Sequence, residues 1–192
     1  GAVYETPSQY WLARETVVLG GAGATQDLVL TGPHPKPWPV MVTFDSSHPQ
    51  RVTLADGTSI YIPAGAMPVE GQVTLHVLPI ATLPHQRHAN IYRYGYAFTA
   101  ADEAGQPITQ HFNQEVVISF AYDERELWVS GINEHLLKPV YFSTTTNEWT
   151  FPESYVVDTD ANRVVMHIDH FTDFALTGGA GYPVYLPAVL KQ

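Results

Sequence analysis

The chain's 192 residues carry 19 acidic and 9 basic side chains, a net charge of −10, and no cysteine. Its Lys and Arg are scattered from Arg14 to Lys191, which excludes the basic footprint of a nucleic-acid or anionic-membrane partner. The absent thiols exclude disulfides and thiolate metal sites. The length suffices for one large domain whose core needs neither.

Gly1-Ala2 ahead of a polar, Pro-containing stretch reads as a cloning remnant before a mature chain, with a signal peptide removed. Residues 1–40 form a predicted N-terminal strand element and link. Within it, Thr16–Leu19 and Asp27–Leu30 flank a glycine-rich loop as a hairpin, and Gly32–Pro39 holds four prolines in eight positions. Each proline ring removes a ladder donor, so this segment is a link and not an interior strand.

Residues 41–177 form the predicted main domain. Fifteen prolines, fourteen glycines and short alternating runs between turn signals predict an all-β protein, an antiparallel sandwich of about ten strands. Met41–Phe44 and Arg51–Leu54 are strands, followed by a turn in which Gly57 takes positive φ. Ile60 and Ile62 alternate with polar neighbours, and so do Val73, Leu75 and Val77, with Pro79 ending their strand. Tyr92, Tyr94, Tyr96 and Phe98 share a buried face, with Arg93 on the wet one. Asp102–Gly105 is a hairpin-like turn, and Val116, Ile118, Phe120 and Tyr122 form the next alternating row. Asp123–Leu137 has room for a helical turn or two, with Asn133 as a cap, and Asp123-Glu124 there reads as a solvated charged pair. Val140–Thr144 with Glu148–Phe151 makes a hairpin, and Tyr155–Val157 follows. The 178–192 tail contains Tyr182–Leu190, far short of the roughly twenty apolar residues a bilayer requires. No membrane insertion is expected.

The stretch Val164–Leu176 organises the rest. Its even positions form an apolar row broken only by His170 and Thr172, which places an imidazole and a hydroxyl side by side on a buried face if the register holds throughout. Each then needs a hydrogen-bond partner. A structural reading has the pair bonding backbone groups at a bend, with His170 buried and neutral.

Three segments taken together, Asp56–Ala66, Val73–Val77 and His170–Leu176, resemble ZU5-like β-sandwich domains of eukaryotic scaffold proteins and bacterial surface proteins. Some relatives cleave their own backbone within a His-Phe-Ser motif. The resemblance therefore implies that His170, Phe171 and Thr172 are the residues to examine for cleavage of the Phe171-Thr172 bond. Thr172 would attack the Phe171 carbonyl, and His170 would take the hydroxyl proton. Thr departs from the motif's Ser, and its methyl narrows the geometry. The tail around Tyr185–Lys191 is similar to those of secreted bacterial proteins.

Other constellations are weak. His85-x-x-His88, with His76 nearby, lies in a Pro-flanked loop without a metalloprotease glutamate. Asp158-x-Asp160-x-Asn162 has calcium-loop spacing, yet Arg163 stands where Gly is needed and Asp169 where the closing Glu is needed. No metal or other cofactor is expected. The tyrosine row, or exposed Trp38, Trp128 or Trp149, offers sugar-stacking surfaces. No phosphate loop or nucleophile elbow occurs. The expected protein is a monomeric, non-catalytic scaffold or adhesion module, secreted or at the bacterial cell surface, with a protein or glycan partner. A self-cleaving domain and a carbohydrate-binding module are the alternatives.

Overall fold

A computed structural model describes residues 37–80 and 91–178, all within the unit from Lys36 to Gln192. The predicted N-terminal hairpin, most of the proline-rich link, the His85-x-x-His88 loop and the 179–192 tail lie outside the described residues.

Among the described residues, the alternating rows become eleven strands in two antiparallel sheets. The first sheet contains β1 (Val40–Asp45), β4 (Gln72–Ile80), β5 (Ile91–Ala101), β11 (Asp173–Thr177), β7 (Lys138–Ser143) and β8 (Glu148–Thr150), in that spatial order. The second contains β2 (Gln50–Thr53), β3 (Ser59–Ile62), β6 (Val116–Ala121), β10 (Arg163–Ile168) and β9 (Tyr155–Asp158). Buried side chains recur at every second residue, as a half-buried pleated strand requires. Val73, Leu75, Val77, Phe98 and Phe174 of the first sheet and Ile60, Ile62, Ile118, Val164 and Met166 of the second belong to one apolar core. Among the described residues, no helix is long and apolar enough to cross a membrane.

Local chemistry explains the connections. Gly57 adopts φ 88° in a turn closed by Leu54 N–H to Thr58 O at 2.8 Å, the conformation expected of glycine there. Asp123 caps a short helix, α1 (Glu124–Val129), by accepting from the Glu126 N–H, so it is not merely solvated. Asn133 caps the following 3-10 turn, Glu134–Leu136, by accepting from the His135 N–H, as the sequence predicts.

Pro79 does not end its strand. β4 continues to Ile80 and pairs with β5 there, whereas its pairing with β1 stops at Val77. Among the described residues, Pro79 thus lies on a stretch paired on one side only, where a missing N–H costs no ladder bond.

Arg93 is not on a wet face. Between β5 and β11, Ala175 stands opposite Gly95 but Leu176 stands opposite Tyr92. The intervening Arg93 and Tyr94 form a bulge, with Arg93 at φ 62°. The bulge turns the guanidinium into partial burial against Glu126, and its charge is met there.

The apolar row of Val164–Leu176 is two strands and not one. Val164, Met166 and Ile168 are buried on β10, and Phe174 and Leu176 are buried on β11. The chain leaves the second sheet after Ile168 and enters the first at Asp173. Residues 169–172 are this crossover, so the two-residue alternation stops at His170.

Candidate functional site

The crossover brings the residues singled out by the sequence into view. Its backbone is tied at both ends: the Phe112 N–H donates to the Asp169 carbonyl at 2.6 Å, and the Phe98 N–H donates to the Thr172 carbonyl at 3.1 Å. Between these ties the Phe171 ring stacks on Phe98 at 6.1 Å and meets Phe112 edge-on at 4.7 Å. Phe171 therefore anchors the crossover to the core.

His170 and Thr172 do not form a pair. The Thr172 hydroxyl donates to the Phe142 carbonyl of β7 at 2.7 Å, while His170 Nδ1 lies 2.7 Å from Asp169 Oδ1. The imidazole is 35% exposed. It is neither the buried group the alternation suggests nor bonded to backbone through Nδ1, because the crossover turns it outward beside a carboxylate. Thr172 does bond backbone, as the structural reading expects.

For self-cleavage, a base must reach the hydroxyl and the peptide must be strained. Here the hydroxyl proton points to a backbone carbonyl. Among the described residues, left-handed backbone outside glycine is confined to Arg93, Asn147 and Asn162, none of them at His170–Thr172.

A further residue joins His170 that the sequence reading missed. His111, in the segment between β5 and β6, places Nδ1 2.9 Å from Asp169 Oδ2. The Asp169 carboxylate thus sits between two imidazoles, whose rings are 5.6 Å apart. The hydrogen bond from His170, foremost, holds the Asp169 carboxyl below the usual carboxylate range; burial opposes it, and the weaker hydrogen bond from His111 adds to the lowering. The Tyr141 ring stands edge-on to His170 at 5.9 Å. Short-range spacing contains no signal for this cluster, because His111 and Asp169 are 58 residues apart.

A second polar centre lies at the tyrosine row. Tyr94 donates its hydroxyl to Asp56 Oδ2 at 3.0 Å, and Tyr96 donates to the same oxygen. Asp56 also accepts from the Thr58 N–H and hydroxyl. Tyr92 and Arg93 both donate to Glu126 Oε2. Tyr92, Tyr94, Tyr96 and Phe98 are all buried, so the row is core with its hydroxyls satisfied, and not a sugar platform. Burial, foremost, raises the pKa of all three phenols, and the Asp56 carboxylate adds to the rise for Tyr94 and Tyr96.

The remaining candidates divide. Asp158 Oδ1 accepts from the Ala161 N–H at 2.9 Å and Asn162 takes φ 53°, so the apparent calcium loop is a turn closed by the Asp158 side chain. Trp149 lies on β8 against Phe142, whereas Trp38 and Trp128 are 86% and 80% exposed.

The chain was compared with protein-family models, with curated proteins and with solved structures, and nothing matches.

Proposed function

We propose that the chain is a non-catalytic, ZU5-like scaffold or adhesion module of a secreted or cell-surface bacterial protein. The observation that carries this reading is the commitment of the Thr172 hydroxyl to the Phe142 carbonyl. It leaves His170 facing Asp169 instead of the hydroxyl. A nucleophile whose proton already rests on a sheet carbonyl closes the last strand against β7, which is a structural task. In such a module the crossover and its aromatic anchors hold the sandwich, and the outer faces and loops engage a partner.

Intact mass tests this reading. Wild-type protein kept for weeks at neutral pH should remain one full-length species. A fragment beginning at Thr172, absent in Thr172→Ala, would replace the scaffold reading with self-cleavage.

The exposed indoles of Trp38 and Trp128 favour a second reading, a carbohydrate-binding module, because aromatic faces in water suit sugar rings. A tryptophan fluorescence change on titration with a panel of oligosaccharides, lost in Trp38→Ala or Trp128→Ala, would support it. A flat response across the panel would remove it.

A further inference from the structure

His111, Asp169 and His170 each offer one ligand atom, and these atoms lie within 4.8 Å of one another. We propose that they form a binding site for a zinc-type divalent cation, with three protein ligands and a fourth position open to water or to a donor from a partner. This goes beyond the scaffold reading and does not depend on it.

Donor chemistry selects the class of ion. Two imidazoles and one carboxylate suit zinc and neighbouring first-row dications, whereas calcium and magnesium demand mostly oxygen ligands. Zinc bonds of about 2.0 to 2.2 Å place tetrahedral ligands roughly 3.3 to 3.5 Å apart. The three donors now lie within 4.8 Å of one another, so an ion would draw them together by about an ångström or more. Asp169 already draws both rings inward, with Nδ1 atoms 2.7 and 2.9 Å from its two oxygens. Coordination through a ring nitrogen requires that atom to shed its proton.

The ligands also stand on prepared backbone. His111 precedes Phe112 and His170 precedes Phe171, and these two aromatic rings meet at 4.7 Å. The Phe112 N–H to Asp169 carbonyl bond fixes the two segments to each other at 2.6 Å. The cost of bringing residues from distant parts of the chain together is therefore met by core packing before any ion arrives. Tyr141 walls one side of His170, while the exposed side chains of His111 and Asp169 leave an entry path. A bound ion would tie the segment before β6 to the crossover between the two sheets.

The test is calorimetric titration of the whole chain with Zn2+ at neutral pH. One site is expected, with a Kd of about 10 μM or tighter. His111→Gln and Asp169→Asn should each weaken it about tenfold or more. Because His111 is exposed, its replacement leaves the core intact. The double variant His85→Gln/His88→Gln should bind as wild type does. With Co2+ as probe, the visible absorption of a four-coordinate ion should appear in wild type and disappear in His111→Gln. The proposal is overturned if wild type binds Zn2+ more weakly than about 10 μM. It is equally overturned if binding survives in His111→Gln and Asp169→Asn, or is lost in the His85/His88 double variant.

Discussion

Thr172 donates its hydroxyl to the backbone carbonyl of Phe142 at 2.7 Å, across 30 residues of chain. The bond sits where the chain has just changed sheets, one residue before β11 begins pairing with β5 and two before it begins pairing with β7. Its removal should therefore loosen the entry to β11. Thr172→Val, of matching shape, should destabilise the fold by about 1 kcal/mol, and Thr172→Ser should retain most of that. Chemical denaturation of the three proteins measures both, and equal stability of the Val and wild-type proteins would show the bond to be incidental.

Asp56 and Tyr96 make the next prediction. Asp56 sits in the turn between β2 and β3 and accepts from two buried tyrosines of β5, in the opposite sheet. Asp56→Ala strands both hydroxyls at once, so a loss of about 3 kcal/mol is expected. Tyr96→Phe should cost less, because it removes a donor without leaving one unsatisfied. A double-mutant cycle should give a coupling of about 1 kcal/mol or more, and additive losses would show that the contact carries no specific energy.

Leu75 tests the core. It is 0% exposed on β4, which is paired on both sides by β1 and β5. Leu75→Ala should cost about 2 to 5 kcal/mol, since neighbours held by two ladders cannot collapse into the cavity. A loss under about 1 kcal/mol in urea unfolding would mean that the sheet relaxes around the gap.

These residues also mark what the sequence makes legible. Leu75, Ile60, Ile118 and Met166 announce their burial through strict alternation, a local property. The Gly57 turn and the Asn133 cap are equally local. Legibility ends where the third dimension intervenes. Alternation runs through Val164–Leu176 as though it were one strand, because nothing in the pattern marks residues 169–172 as a change of sheet. The bulge at Arg93 hides for the same reason, since an inserted pair of residues restores parity beyond it. The His111–Asp169–His170 cluster is invisible to spacing rules, because it is assembled by the Phe112–Phe171 contact between segments far apart in sequence.

The tyrosine row finally sets the response to alkali. The Tyr92, Tyr94 and Tyr96 phenols are raised well above the ordinary value of 10.0, chiefly by burial. Tyr122 is pushed up to about 12 by burial and then by the neighbouring Glu134 carboxylate. In the unfolded chain these groups ionise near pH 10. The folded chain holds its protons to higher pH, so above that point the unfolded state binds fewer protons than the native one. The slope of stability against pH is then negative. The contribution is fully present below about pH 10 and is lost as pH climbs toward the raised folded values. Melting temperature should accordingly be level through pH 8 to 9 and fall steeply above about pH 10. Tyr96→Phe should show a shallower fall, because it deletes one of the linked protons. Ultraviolet difference spectra should show tyrosinate appearing together with unfolding. Ionisation of these four tyrosines near pH 10 in a still-folded protein would contradict both their burial and their hydrogen bonds to Asp56, Glu126 and Glu134.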